Sequence, residues 1–187
     1  MTTTSTSTEA SRLISLLLER SVTRGDFVLA SGRKSSYYID ARRTTMSGEG
    51  QLLIGRLGLA ALDQQGWAPR AVGGLNLGAD PVAYAVAHAA RAAGRSIDAF
   101  TVRKEAKGHG LGRRIEGCLT AGDTVVVVED VITSGHSALE AVAQVRQAGG
   151  QVLGVLAVVD REEGGREAIA AAGVPATALV LASALHA

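Results

Sequence analysis

Residues 123–137 have the sequence Asp-Thr-Val-Val-Val-Val-Glu-Asp-Val-Ile-Thr-Ser-Gly-His-Ser, and this stretch decides the fold. The four consecutive valines at 125–128 are β-branched and form a short apolar run, which predicts a strand buried on both faces of a parallel sheet. Two carboxylates, Glu129 and Asp130, follow at the predicted end of that strand. Residues 133–137 then form a small polar turn before apolar residues return with helical spacing. The stretch therefore predicts a strand, a loop and the N-terminus of a helix.

The polar turn has the chemistry of a phosphate-binding loop. It offers unpaired backbone N–H groups, hydroxyls and the positive end of a helix dipole. No Gly-Lys-Ser/Thr follows the strand, so the turn is not a nucleoside triphosphate loop. The acid pair would repel a bare phosphate, but it can accept hydrogen bonds from vicinal hydroxyls or hold a hydrated Mg²⁺. A sugar phosphate is the favoured ligand class, and a plain strand and helix joined by solvated acids is the alternative.

These residues also carry a family resemblance. Val125–Ser137 resembles the phosphoribosyl pyrophosphate (PRPP) motif of type I phosphoribosyltransferases, in which a hydrophobic strand and two acids precede a Thr/Ser/Gly-rich loop. The resemblance implies that the acids contact the ribose hydroxyls and that the loop holds the 5′-phosphate. It assigns PRPP contacts to one continuous run of residues: Glu129, Asp130, Val131, Ile132, Thr133, Ser134, Gly135, His136 and Ser137.

Composition limits the class of protein. A chain of 187 residues is long enough for one α/β domain, and 19 Lys+Arg against 18 Asp+Glu leave no basic field for nucleic acid. A single cysteine, Cys118, excludes an intramolecular disulfide. No export signal and no apolar run of about 18 residues is present, so we expect a cytoplasmic protein without a membrane segment. We predict a disordered tail over residues 1–8 and a single domain over 9–187, with a small hood at about 9–45 and a core at about 46–187.

The hood contains a predicted hairpin with a cationic tip. Residues 31–35, Ser-Gly-Arg-Lys-Ser, lie between two β-prone runs, and a solvated hairpin is the simpler interpretation. Residues 31–40 nevertheless resemble the Ser-Gly-x-x-Ser-x-x-Tyr-x-Asp signature of orotate phosphoribosyltransferases. That resemblance implies a hood over the base, with Lys34 as an orotate contact.

A second cationic segment, residues 103–117, holds five cations, a histidine and four glycines. It has too few apolar residues to bury a face, so it predicts a loop, and a loop of this length is uncommon unless it is functional. A solvated linker is the alternative. The segment resembles the catalytic loop of orotate phosphoribosyltransferases, while its Arg113 and Arg114 match no assigned role. The resemblance implies PRPP contacts from Arg103, Lys104, Lys107 and His109.

Two further strand ends have a composition that suits ligand binding. Glycines at 73, 74 and 78 allow close approach of the backbone, in a stretch that resembles the family's pyrophosphate loop. Asn76 stands where some relatives have a lysine. Arg161 follows the apolar strand 151–159, where it either caps the strand or reaches the ligand crevice. The resemblance implies that Arg161, together with Thr133, contacts orotate.

The order of apolar segments predicts an α/β fold with a doubly wound, mostly parallel sheet, as in type I phosphoribosyltransferases. Five strands are expected, near residues 71–74, 97–102, 124–129, 151–159 and 176–181. The combined resemblance implies an enzyme that makes orotidine 5′-monophosphate and pyrophosphate from orotate and PRPP. A phosphoribosyltransferase for a purine base and a non-catalytic PRPP-sensing regulator are the alternatives.

The resemblance also implies the catalytic parts and the assembly. It assigns catalysis to Lys104, Lys107, His109 and Asp130. Mg²⁺ is expected to be carried by PRPP, with no firm protein ligand. A homodimer with active sites shared across its interface is expected, because in the family the lysine-rich loop reaches the neighbouring subunit.

Overall fold

The structure is a computed structural model that describes residues 3–28, 34–105 and 114–185. Its strands are β1 (Val22–Val28), β2 (Lys34–Ile39), β3 (Ala71–Leu75), β4 (Asp98–Val102), β5 (Ile115–Gly117), β6 (Thr124–Ile132), β7 (Gln151–Asp160) and β8 (Ala176–Leu181). Its α-helices are α1 (Thr3–Arg20), α2 (Arg42–Thr45), α3 (Gly48–Gln64), α4 (Ala79–Ala92), α5 (His136–Gln147) and α6 (Gly165–Ala171), and a 3₁₀ turn follows at Ala182–Leu185.

Among the described residues, six strands form the main sheet in the order β5-β4-β3-β6-β7-β8. The pairs from β4 to β8 are parallel, and only β5 runs antiparallel, against β4. The predicted α/β fold with a mostly parallel sheet is confirmed. The five predicted strands correspond to β3, β4, β6, β7 and β8. Strand β5 was not predicted, because its three residues lie inside the cationic segment and have no apolar pattern of their own.

Alternating valines of β6 divide the core into two layers. Val126 and Val128 belong to a cluster that includes the apolar faces of α1, α3 and α4. Val125 and Val127 point to the opposite face and pack with residues of α5 and α6. All four valines are fully buried. The strand is therefore covered by helices on both faces, as its continuous apolar run predicted.

Strand β6 extends three residues beyond its predicted end at Glu129. Its pairing with β7 continues as far as Ile132, which lies opposite Asp160. The acid pair therefore belongs to the strand itself and not to the loop that follows it. The reason is that the apolar residues after the acids, Val131 and Ile132, keep the chain extended and paired.

The N-terminal region differs from the prediction of a disordered tail at 1–8. Helix α1 already begins at Thr3, and Ser11 Oγ donates to the Ser7 carbonyl at 3.0 Å while Glu9 accepts from Arg56 of α3 at 2.9 Å. These local and interhelical bonds extend the helix beyond its apolar part. No helix in the described parts of the chain is both long enough and apolar enough for a membrane crossing.

The predicted hood over residues 9–45 divides into two parts. The apolar face of α1, with Leu13, Leu16 and Leu17 fully buried, belongs to the main core. Strands β1 and β2 form a separate antiparallel sheet of their own. The part of the hood that has a sheet of its own is therefore the hairpin of β1 and β2.

Candidate active site

A cavity of about 1010 Å³ opens at the carboxyl ends of β3, β4, β6 and β7. This is the edge of a parallel sheet at which ligands bind in open α/β folds. The end of β2 and the start of α2 form its opposite wall. Its lining includes the side chains Tyr38, Asp40, Arg42, Asn76, Arg103, Lys104, Glu129, Asp130, Thr133, Ser134, Ser137, Arg161 and Glu163. One cavity therefore collects residues from every motif that the sequence singled out.

The polar turn connects β6 to α5 as predicted. Gly135 at the N-cap of α5 has a φ of +79°, and a Cβ there would lie 2.7 Å from the Gly165 carbonyl oxygen. Only glycine fits this position without strain. Thr133, Ser134 and Ser137 are exposed on the cavity wall, at the positive end of a 12-residue helix. The turn therefore presents hydroxyls and backbone N–H groups to a common space.

Three members of the predicted PRPP-contacting run, Ile132, Gly135 and His136, do not line this cavity. The side chain of Ile132 is 1% exposed and packs in the core. Gly135 and His136 line a smaller cavity of about 30 Å³, which is formed by the turn itself and shares Thr133, Ser134 and Ser137 with the larger cavity. The carbonyl of Ile132 accepts a hydrogen bond from Arg161 N at 2.9 Å, which joins the end of β6 to the residue after β7. Neighbouring side chains of a strand alternate between its two faces, so Val131 lines the cavity while Ile132 points into the core.

The acid pair occupies two different environments. Glu129 is 6% exposed, and its Oε2 atom has no hydrogen-bond partner. Burial raises the pKa of Glu129 well above its usual range, and the adjacent charge of Asp130 raises it further. Asp130 is half-buried, and its Oδ1 accepts from Val131 N at 2.9 Å. The pair thus offers one buried carboxyl group with an unpartnered oxygen and one half-buried carboxyl group that accepts a hydrogen bond.

Gly78 provides the space that Asp130 occupies. A Cβ at Gly78 would lie 2.5 Å from Asp130 Oδ1, whereas the φ of Gly78 is −62°, which any residue can adopt. The close approach that this glycine allows is observed, and it brings the loop after β3 against the acid of β6.

Arg161 is the residue directly after β7, and it is 6% exposed. Its guanidinium carbon lies 4.7 Å from the centre of the Tyr37 ring, and Nη2 donates to Glu163 Oε1 at 2.9 Å. The buried Nε has no hydrogen-bond partner. The arginine is therefore held by an aromatic face and a carboxylate, with an unpaired donor remaining. Sequence reasoning missed Tyr37 and Glu163 as partners of Arg161, although both lie within motifs that it quoted.

The cationic segment contributes its first residues to the cavity. Arg103 and Lys104 follow β4 and line the cavity wall, and Lys104 N donates to Asn76 Oδ1 at 3.2 Å. Asn76 therefore lies at the cavity and contacts the start of the segment. The predicted site residues Lys107 and His109 lie outside the described residues. The side chain of Lys34 also lies outside the described part, although its backbone begins β2.

A further pair, Asp40 and Arg42, was not assigned a role from the sequence. Arg42 Nε donates to Asp40 Oδ1 at 2.8 Å, and this hydrogen bond lowers the pKa of Asp40. Both residues line the cavity opposite the sheet edge. Asp40 closes the quoted hood signature, so its position after β2 was the available signal.

No group of three or more His, Cys, Asp or Glu side chains that could hold a metal ion occurs in the described ranges 3–28, 34–105 and 114–185. Glu129 and Asp130 are two carboxyl groups at the sheet edge of the cavity. Mg²⁺ is bound in proteins through one or two carboxylates, waters and substrate phosphates. The donor set, including the unpartnered Glu129 Oε2, therefore fits a metal that arrives with a phosphorylated substrate.

No family model matches the chain, and the comparisons with individual proteins are decisive. The orotate phosphoribosyltransferase of Mycobacterium avium is 53% identical over 167 residues, which cover 89% of this chain and 90% of the relative. The chain belongs to the orotate phosphoribosyltransferase family. Solved structures agree. The Mycobacterium tuberculosis H37Rv enzyme in complex with Fe(III) dicitrate matches with a TM-score of 0.85 at 46% identity, covering 96% of this chain and 99% of that one.

The same M. tuberculosis enzyme in complex with PRPP matches with a TM-score of 0.82 at 43% identity, over 96% of this chain and 99% of that one. These relatives confirm the function that the sequence resemblance implied. The chain is a pentosyltransferase that transfers the 5-phosphoribosyl group from PRPP to orotate, giving orotidine 5′-monophosphate and pyrophosphate. This reaction is a step of de novo pyrimidine biosynthesis. The purine-base enzyme and the non-catalytic regulator are thereby set aside.

Proposed function

We propose that the cavity at the sheet edge is the active site and that its four walls bind four parts of the two substrates. The observation that carries this proposal is the position of the acid pair between the phosphate-type turn and the cationic segment, all on one cavity. The 5′-phosphate of PRPP binds at Thr133, Ser134 and Ser137. The ribose hydroxyls bind at Glu129 and Asp130. The diphosphate extends toward Asn76, Arg103 and Lys104.

Orotate binds on the remaining wall, next to Arg161. A guanidinium with an unpaired, buried donor is suited to a carboxylate, because a planar fork pairs with both carboxylate oxygens. The Tyr37 ring and Glu163 hold the guanidinium in place for this contact. Lys34 and Thr133 are proposed as additional orotate contacts from the sequence.

The reaction breaks the bond between ribose C1 and the diphosphate oxygen and forms the bond between orotate N1 and C1, while the N1 proton is released. Positive charge builds on the ribose in an oxocarbenium-like transition state. The Asp130 carboxylate stabilises that charge, and the cation of Lys104 stabilises the negative charge on the departing diphosphate. Lys107 and His109 are proposed to act with Lys104. Orotate N1 is itself the nucleophile, so no protein nucleophile is required.

A divalent cation, Mg²⁺, is proposed to enter with PRPP, and when bound it neutralises part of the diphosphate charge. The carboxyl groups of Glu129 and Asp130 provide oxygen donors that such a complex can use when they are ionised. Assays with chelator and re-added Mg²⁺ measure this dependence directly.

We also propose a homodimer with shared sites. Large apolar side chains remain exposed on and beside two packed helices, α3 and α4. They are Met46 (57% exposed), Leu52 (52%), Leu77 (60%) and Tyr84 (54%). An apolar surface of this kind supports contact with a second copy of the chain. Leu77 also lines the cavity, which puts the proposed interface beside the site.

A cytoplasmic location is proposed because both substrates are charged metabolites of intracellular metabolism.

The residue roles are tested with purified enzyme, orotate, PRPP and Mg²⁺, by following pyrophosphate release. Lys104→Ala should lower kcat by about 10²-fold, since it removes a cation from the developing anion. Arg95→Ala is the matched control, because Arg95 forms an exposed ion pair with Asp63 at 2.8 Å and does not line the cavity. Equal kcat values for the wild type and Lys104→Ala would contradict the proposed role of Lys104.

A further inference from the structure

The side chain of Arg114 contacts three acceptors from two separate segments. Its Nε donates to the Arg103 carbonyl at 2.9 Å, and its Nη2 donates to the Lys104 carbonyl at 2.6 Å. The same Nη2 forms an ion pair with Glu140 on α5. The backbone adds a further bond, from Arg103 N to the Arg114 carbonyl at 2.7 Å. The two ends of the cationic segment are thus joined to each other and to α5.

These contacts fix the backbone of a residue that lines the active site. The N–H group of Lys104 donates to the Asn76 carboxamide, and its carbonyl accepts from Arg114. Lys104 is therefore held on both sides of its backbone by side chains from different parts of the fold. Glu140 lies on α5, whose N-terminus begins at the turn proposed to bind the 5′-phosphate. One hydrogen-bonded chain connects the loop after β3, the end of β4 and the helix of the phosphate turn.

The chemistry favours arginine at this position. A guanidinium presents several donors in a rigid plane, whereas an ammonium group on a flexible stem is a single point of donation. Arg114 is 22% exposed and Glu140 is 29% exposed, so their charges are screened less than those of a fully solvated pair. A surface ion pair with no further acceptors would contribute little to function.

We propose that Arg114 is a positioning residue that, with Glu140 and Asn76, sets the position of Lys104 relative to the departing diphosphate. The inference rests on the proposed role of Lys104. Arg114 does not line the cavity and acts through the backbone of the residue that does. Misplacement of a reacting group by about 1 Å can cost about 10²-fold in rate. The consequence is a defect in turnover with little change in orotate binding.

The test measures kcat and the KM for orotate in Arg114→Ala, Arg114→Lys and Glu140→Gln, with Arg95→Ala as the control for loss of an arginine ion pair. Arg114→Ala should lower kcat by about 10-fold to 100-fold and leave the orotate KM unchanged. Arg114→Lys should recover only part of the loss. Glu140→Gln keeps the size of residue 140 and removes its charge, so it weakens the ion pair with Arg114 without leaving a cavity. It provides a folded test if Arg114→Ala is poorly folded, and its kcat should also fall.

A double-mutant cycle separates positioning from general stabilisation. In the Lys104→Ala background, Arg114→Ala should cause little additional loss of kcat, because the group that it positions is gone.

Guanidinium ion at low concentration should partly restore kcat in Arg114→Ala but not in Arg95→Ala, with sodium chloride as the ionic-strength control.

Three results would overturn the inference. Wild-type kcat in Arg114→Ala beside an impaired Lys104→Ala would remove the positioning role and leave the role of Lys104 intact. Additive losses in the double mutant would show a structural role only. Wild-type kcat in Lys104→Ala would remove the proposed role of Lys104 and this inference with it.

Discussion

The guanidinium of Arg161 lies over the ring of Tyr37, with 4.7 Å between the guanidinium carbon and the ring centre. Tyr37 belongs to the hairpin strand β2, and Arg161 follows β7 at the edge of the main sheet. The contact therefore ties the hairpin to the ligand end of the sheet. The ring attracts the cation and replaces water on that face of the guanidinium. We infer that this pair forms the orotate side of the active site.

Replacing Arg161 by alanine should weaken orotate binding by about 2–5 kcal/mol, because a buried, charge-assisted contact is lost. The measurement is the KM of each substrate in Arg161→Ala, and the KM for PRPP should change little. Arg166→Ala is the control, since Arg166 is a neighbouring arginine that is partly exposed, 3.6 Å from Asp160, and is not part of the cavity lining. An unchanged orotate KM together with a raised PRPP KM would assign Arg161 to the phosphate side.

Tyr37→Leu should raise the orotate KM by the equivalent of about 0.5–2 kcal/mol, which is the strength of a cation–π contact. The effect should be smaller than that of Arg161→Ala, because the arginine itself remains. Tyr37→Phe keeps the ring and serves as the matched control. If the phenylalanine variant were as impaired as the leucine variant, the hydroxyl and not the ring would hold the arginine.

Asp130→Asn should fold normally and lose about 10²-fold in kcat, because the charge that faces the ribose is removed while hydrogen bonding is largely kept. Thermal unfolding and circular dichroism check the fold, and steady-state kinetics measure kcat. Asp63→Asn, an exposed aspartate of a surface ion pair, is the control for loss of a carboxylate. Wild-type turnover in Asp130→Asn would leave this acid with a structural role only.

The raised pKa of Glu129 predicts a pH dependence of stability in the ligand-free enzyme. Between the ordinary pKa of a glutamic acid and the raised pKa of Glu129, the folded state binds more protons than the unfolded state. Stability should therefore fall as pH rises through that window and level off above the raised pKa. In Glu129→Gln this contribution should disappear. The measurement is Tm at intervals upward from about pH 5 in both proteins. Parallel Tm curves for the two proteins would contradict the prediction.

The shared-site homodimer predicts complementation between two inactive variants. Lys107→Ala, at a position outside the described residues, is expected to disable the loop, and Arg161→Ala to disable the pocket. After co-refolding, half of the dimers are hybrids with one intact site of two, so activity should return to about a quarter of wild type. Each variant refolded alone is the control. A mixture no more active than its parents would place the loop and the pocket in the same subunit.

The sequence by itself determined the fold class and the chemistry of the motifs. A continuous apolar strand before two acids and a polar turn can be recognised from local pattern alone, because the strand, turn and helix signals all lie within 15 residues of one another. The order of such segments was also enough to predict the parallel sheet. These properties depend on neighbours along the chain, and the described structure agrees with them.

The tertiary structure alone decided which side chains meet. The contacts of Arg161 with Tyr37, of Gly78 with Asp130 and of Arg114 with Glu140 each join segments that are distant along the chain. No periodicity or composition specifies such pairs, because they arise only when the sheet order and the strand lengths are fixed. The burial of Glu129, and with it the direction of its pKa shift, has the same origin. A carboxyl group is desolvated by residues that the fold brings around it, and not by its neighbours in sequence.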